Sequence, residues 1–297
     1  MRWLLPLVLA TSVLASDSES CQPIDGIGTL LEPGTILLLG EIHGTEESPA
    51  FALQTACHAA RTDLPVIVGL ELRPAEQARV DAYMVSGGTE DDRRSLLAGS
   101  VWQANYQDGR ASHAMFDLID GLRAMRREGR EVRVALFDAP GSRGGQQRER
   151  DMARNLAAIA ADSPRAMTIV LTGNMHSRVT RGNARDSEYE PMGYLLARDE
   201  SVGRVLSLNV AHSGGSAWVC NPNCGVSRFG GGDDQTAWRI EMDEATRPAG
   251  HVGWYHVGAI TASVPARISP SEVFLPEPPT RATGRPTTSV RRPRPGA

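Results

Sequence analysis

Four short runs rich in Val, Ile and Leu constrain this chain more than any other feature: TILLLGE, PVIVGLE, VRVALFDA and MTIVLTGN. Continuous apolar runs of this length mark strands covered on both faces, and the segments between them read as helices. The sequence therefore predicts an α/β fold with a mainly parallel central sheet flanked by helices. Ser48-Pro49 offers an N-cap and a first-turn proline for a helix to about Arg61, and Pro74 opens another. Apolar spacing at Met115, Phe116, Ile119, Leu122 and Met125, stopped by Gly129, predicts a helix over 111–128, and a further helix over 149–161 precedes the fourth run. After Gly193 the segments VGRVLSLNVAH, SAWVC and TAWRIEMD, broken by Gly-rich turns, predict a strand-rich C-terminal extension that continues the sheet or caps it. With 297 residues and 41% apolar content the chain can bury a large core, and a single α/β domain is expected over 35–265.

The first residues, MRWLLPLVLATSVLAS, combine one cation, an apolar stretch and a small-residue site near Ala15. They read as a secretory signal over 1–15, followed by a lead-in over 16–34. The protein is expected to be exported, periplasmic or secreted, with no transmembrane segment. Ser18-Glu19-Ser20 ahead of Cys21 is a poor lipid-attachment pattern, so no lipid anchor is expected. The Pro/Arg-rich stretch 275–297 cannot bury enough apolar surface to order itself and reads as a disordered tail. Net charge is −4 and the cations are dispersed among acids outside that tail, which argues against nucleic-acid binding. A small-molecule or peptide ligand is the expected partner.

All 31 residues counted as Lys+Arg are Arg, which excludes Schiff-base chemistry, a P-loop lysine and a Ser-Lys dyad. No G-x-S-x-G elbow is present, which disfavours a standard serine hydrolase. Four cysteines in an exported chain point to disulfides. For Cys220 and Cys224 a local bridge is favoured, with free thiols or a zinc site as alternatives. Cys57 is either a core residue or the partner of Cys21.

Binding and catalytic groups of a parallel sheet collect at the carboxyl ends of its strands. Here the first run ends in Gly40-Glu41-Ile42-His43, the second in Glu71, the third in Asp138 and the fourth in Gly173-Asn174-Met175-His176. Two G-x-x-H units thus occupy the same structural position, with a carboxylate ending a strand between them. Two imidazoles and one or two carboxylates suit zinc or manganese, which makes Glu41, His43, Glu71 and His176 candidate metal ligands. The same residues without metal make His/Glu general-base machinery. Arg178 is the candidate to steer an anionic group. Asp138 is a weaker candidate that could cap the following loop. Glu46 and Glu47 read as complements to a helix N-terminus. Met175 reads as packing, and His58, His113, His212, His251 and His256 as surface or structural residues.

The stretches GEIHGTEESPAF, VIVGLE, RERDMARNLAAI and TIVLTGNMHSR together resemble the superfamily that holds the ChaN haem-uptake proteins, the erythromycin-esterase-like enzymes and the TIKI/TraB metallohydrolases. The resemblance covers about Thr35 to Leu196. It implies two similar α/β halves facing one pocket, with Glu41, His43 and His176 together and Glu71 as the companion acid. The single residue between Glu41 and His43 is similar to the ChaN-like spacing, whereas Gly44 is similar to the esterases. Three functions follow as expectations: an ester or amide hydrolase, a binder of haem or another metal-bearing ligand without turnover, and a fold without chemistry. An aromatic content of 5% weighs against a haem pocket.

Overall fold

The structure, a computed structural model, describes residues 21–141 and 145–267. The signal expected over 1–15 and the tail expected over 275–297 lie outside the described residues. In chain order the elements are β1 (Ile36–Glu41), α1 (Glu47–Ala60), β2 (Val66–Leu70), α2 (Gln77–Met84), α3 (Glu90–Leu97), α4 (Ser100–Gln103), α5 (His113–Arg127) and β3 (Val132–Leu136). They continue with α6 (Gln146–Asp162), β4 (Met167–Gly173), α7 (Met192–Ala197), β5 (Val205–Cys220), β6 (Cys224–Phe229), β7 (Ala237–Glu241) and β8 (Gly253–Ile260).

One sheet runs in the order β3-β2-β4-β1-β5-β8-β7, with β6 paired to the far half of β5. All pairings from β3 through β8 along this path are parallel, while β6 and β7 run antiparallel to their neighbours. Strand residues alternate between the two faces, and the core divides accordingly. Leu37 and Leu39 of β1 join Phe51 and Ala56 of α1 and Ile119 and Leu122 of α5 on one face. Ile36 and Leu38 join Met152 and Leu156 of α6 and Met192 and Leu196 of α7 on the other. Every residue of β1 and of β2 is buried, which is why both read as unbroken apolar runs rather than as alternation.

The C-terminal strands extend this same sheet. The two segments expected as separate strands, VGRVLSLNVAH and SAWVC, form the single β5, whose register against β8 shifts around His212 to Gly215. Two strands escaped the sequence reading. β6 is half-exposed along most of its length, and β8 has glycine and histidine among its apolar residues, so neither shows a clean strand pattern. Pro74 opens a short 3-10 turn, Pro74–Glu76, before α2 begins.

Both disulfides form, Cys21–Cys57 and Cys220–Cys224, and leave no free cysteine among the described residues. The free-thiol and zinc alternatives for Cys220 and Cys224 are thereby set aside. The first bridge ties the start of the described chain to α1, with a sequence separation of 36. Two bridges fit the oxidising compartment expected from the N-terminus. No helix among the described residues is long and apolar enough to cross a membrane.

Candidate functional site

Because β4 lies between β2 and β1, with β3 outside β2, the carboxyl ends of four parallel strands stand side by side. Asp138, Glu71, His176 and the Glu41/His43 pair follow those ends in that spatial order, although they are scattered from residue 41 to residue 176. Glu71 is the centre of the cluster and only 3% exposed. Its Oε2 accepts from the Thr172 hydroxyl at 2.7 Å and from the Gly173 N–H at 2.8 Å. Its Oε1 accepts from Arg148 Nη2 at 2.7 Å and from Arg110 Nη1 at 3.2 Å. Burial alone would raise the Glu71 pKa, but His176, His43, Arg110 and Arg148 together hold it well below the usual carboxylate range.

Arg148, in the first turn of α6, binds the cluster together. Its Nε and Nη2 donate to Asp138 Oδ1 at 2.9 and 2.6 Å, and its Nη1 lies 3.0 Å from His176 Nε2. Asp138 also accepts from Arg110 Nη1 at 3.1 Å and from the Ala139 N–H at 2.7 Å. A second guanidinium, Arg110, is held by Asp108 through Nε and Nη2 at 3.1 and 2.9 Å. Two cations thus sit among several buried or part-buried carboxylates.

Each histidine rests on its own carboxylate. His43 Nδ1 is 2.8 Å from Glu41 Oε1, and His176 Nδ1 is 2.7 Å from Glu149 Oε1. Glu149 is fully buried, and its other oxygen accepts from the Met192 N–H at 2.9 Å. A ring whose Nδ1–H donates to a carboxylate keeps its lone pair on Nε2. There the two histidines differ. His176 Nε2 meets Arg148, while His43 Nε2 has no hydrogen bond among the described residues and faces Glu71 Oε2 at 3.6 Å. Burial would lower the His43 pKa, but Glu71 and Glu41 outweigh it against the opposing Arg110, and the net shift is upward. Space is tight here: a Cβ on Gly173 would lie 3.1 Å from His43 Nε2.

Of the residues expected from sequence, Glu41, His43, Glu71 and His176 come together. Asp138 joins them as a full member, while its Oδ1 also accepts from the Ala139 N–H of the loop that follows. Arg178 makes its contacts elsewhere: its Nη1 donates to the Ala249 carbonyl at 2.8 Å, and its Nε is buried without a hydrogen-bond partner among the described residues. Met175 is 42% exposed on the turn after β4, so it is not the packing residue expected. Glu47 lies in the first turn of α1, but its carboxylate accepts from the Thr261 N–H at 2.9 Å, and Glu46 at the N-cap makes no side-chain capping hydrogen bond among the described residues. Arg148, Glu149 and Arg110 were missed. The sequence placed the start of α6 at Glu149, whereas it begins at Gln146, which puts Arg148 and Glu149 in the first turn beside the strand ends. Among the described residues no set of three His, Cys, Asp or Glu side chains is arranged to hold a metal ion.

His251 braces the turn that carries His176. Its Nε2 lies 3.1 Å from the Ser177 hydroxyl and 3.2 Å from the Asn174 carbonyl oxygen. Burial, reinforced by Arg178 and only partly offset by the Ala249 and Asn174 carbonyls, lowers its pKa from 6.5 to about 4. The unfolded chain therefore binds this proton more readily than the folded one. The His251 contribution is fully present above pH 6.5 and is lost as pH falls towards 4, a loss on the order of 3 kcal/mol. Urea unfolding between pH 7 and pH 4 should show this loss for the wild type and a shallower one for His251→Asn. Parallel slopes for the two proteins would contradict it.

No protein-family model matches the chain, and neither does any curated protein sequence. Among solved structures it is similar to a mutant erythromycin esterase, EreC, in its open conformation, with a TM-score of 0.51 and 12% identity over 68% of this chain and 78% of that one. It is also similar to a Bacillus cereus protein, with a TM-score of 0.47 and 13% identity over 79% and 91% of the two chains. A succinoglycan biosynthesis protein matches with a TM-score of 0.49 and 9% identity over 80% and 90%. At these identities the likeness is one of fold. The esterase comparison supports the mostly parallel α/β architecture that the motifs implied.

Proposed function

We propose that this protein hydrolyses ester or amide bonds, with His43 as the general base that activates water and with no resident metal. The observation that supports this most is the inequality of the two histidines: Glu41 orients His43, whose Nε2 has no hydrogen bond among the described residues, whereas Arg148 engages the Nε2 of His176. In this reading His43 Nε2 takes a proton from water as the water oxygen adds to the carbonyl carbon. The imidazolium, held by Glu41, then returns that proton to the departing alkoxide or amine. Arg110, whose side chain is 23% exposed against 6% for Arg148, is the guanidinium better placed to face the developing oxyanion. His176 and Glu149 position Arg148, and Arg148 and Glu71 hold the floor of the site.

A zinc or manganese ion suits these donors poorly. Glu71 already accepts from four donors, two of them guanidinium groups, and Arg148 lies on His176 Nε2. A divalent cation between the histidines would have to displace Arg148 from His176 and from Glu71. Haem capture has still less behind it, because both Nε2 atoms lie within 3.7 Å of one buried carboxylate, Glu71.

Turnover of p-nitrophenyl acetate by the purified chain should persist within about twofold after prolonged treatment with a chelator. Its kcat/KM should rise with pH through a pKa above 6.5, since His43 acts only when neutral and its neighbours favour the charged form. A bound metal whose removal abolishes turnover would refute the metal-free mechanism, and turnover untouched by His43→Ala would refute the base.

A further inference from the structure

A cavity of about 430 Å³ opens beside the loop that carries His43, within the range of about 300–1,000 Å³ typical of small-molecule pockets. Its walls include Tyr106, Trp218, Pro222, Cys224, Pro265 and Arg267. Nothing in the chemistry proposed above uses these residues. They are nonetheless joined to it at two points. The Trp218 N–H donates to the carbonyl of Gly44, the residue after His43, at 2.9 Å. Gly109 presses against that same residue so closely that a Cβ on it would lie 2.4 Å from the Gly44 nitrogen. Gly109 belongs to the segment 104–111, which has Gln107 in the cavity wall and Arg110 on Glu71 and Asp138.

The wall is preorganised. The Gln107 side-chain amide donates to the carbonyls of Val101, Trp102 and Ala104, each at 3.0 Å. Its main-chain carbonyl accepts from Trp218 Nε1 at 2.9 Å. The Cys220 sulfur lies 3.1 Å from that oxygen; being in a disulfide it carries no proton, so this is a close contact rather than a hydrogen bond. The bridge to Cys224 closes the turn that supplies Pro222, so this wall keeps its shape without a ligand.

We propose that this cavity binds the part of the substrate remote from the scissile bond, and that this part is a carboxylate on an apolar or aromatic body. The proposal rests on the hydrolase reading and adds the substrate class to it. Among the described residues the cavity wall holds one cation, Arg267, and no acid, while aromatic and proline surfaces supply apolar contact. Beyond Gly44 the balance reverses: Glu41, Glu71, Asp108, Asp138 and Glu149 gather around Arg110 and Arg148. An anionic end is repelled by that cluster and attracted by Arg267. The substrate is thus oriented with its carboxylate away from His43 and its ester or amide carbonyl towards it. Tyr106, 51% exposed, would be covered by such a body.

Two measurements on the purified chain test this, one of binding and one of turnover. Tryptophan fluorescence titrated with 4-phenylbutyrate should saturate, and Arg267→Met should weaken that affinity by about tenfold while leaving binding of the neutral amide, 4-phenylbutyramide, unchanged. In turnover, Arg267→Met should raise KM for a p-nitrophenyl ester bearing a free carboxylate and leave kcat for p-nitrophenyl acetate intact. Equal affinity for acid and amide in wild type and variant would overturn the proposal, as would a charge preference that Trp218→Phe and Arg267→Met both leave intact. If carboxylate binding behaves as expected while the wild-type chain turns over no ester or amide, the cavity stands as a binding site and the hydrolase reading fails.

Discussion

His43→Ala is expected to lower kcat for ester hydrolysis by about a thousandfold, within the range that a positioned general base contributes. KM should change little, because the imidazole acts on water rather than on the bound substrate. The substitution's cost to stability should come from Glu41, which is 3% exposed and loses the ring that is its one side-chain hydrogen-bond partner among the described residues. His43 Nε2 makes no hydrogen bond among the described residues, its side chain is 20% exposed, and its removal leaves Glu71 still held by Thr172, Gly173, Arg148 and Arg110. Glu41→Gln should act in the same direction but less severely, since the ring loses the carboxylate that orients it and supports its charged form. A circular dichroism melt within a few degrees of wild type, alongside the loss of rate, would establish that the effect is chemical. A His43→Ala protein that kept its wild-type rate would overturn the assignment.

Arg148→Met should be the most damaging single substitution to the folded state, at about 3–5 kcal/mol, the cost of removing one partner of a buried ion pair. Arg148 is 5% exposed and donates to two carboxylates, Glu71 and Asp138, that are each 3% exposed. Methionine fills much of the volume but leaves those charges, among the described residues, with Arg110 and with the half-exposed Arg73 at 4.0 Å from Asp138 as their guanidinium neighbours. Asp138→Asn in the Arg148→Met background should recover part of the loss, because it removes one of the orphaned charges. Urea midpoints for the four proteins of that cycle would give the coupling directly. A loss below about 1 kcal/mol would mean that solvent replaces the guanidinium at little cost, as it does at exposed pairs.

The parts of this molecule legible in its sequence are those that depend on burial and on strand ends. β1 to β4 are buried nearly throughout, so their apolar runs stood out, and the residues following them were named because a parallel sheet gathers its functional groups there. What escaped depends on side-chain reach from elements whose position in space the sequence does not state. Arg148 and Glu149 arrive from a helix N-terminus, Arg110 from a loop far along the chain, and all three were invisible as partners until β3 and α6 were placed beside β2. Arg178 fails for the complementary reason: nearness in sequence to His176 did not translate into a shared direction, since the chain turns between them. Histidine spacing alone also could not tell that one ring is engaged by an arginine and the other is not.

The placement of β1 bears on how the chain reaches this state. Its partners, β4 and β5, both come later in the chain, the nearer beginning at Met167. During synthesis the strand that bears Glu41 therefore waits, with both edges open, for more than a hundred residues to follow. Open apolar edges invite pairing with other chains. A fragment ending before β4 would keep β2 and β3 paired but leave β1 without a strand partner, and would be expected to aggregate rather than to fold into a smaller version of the protein.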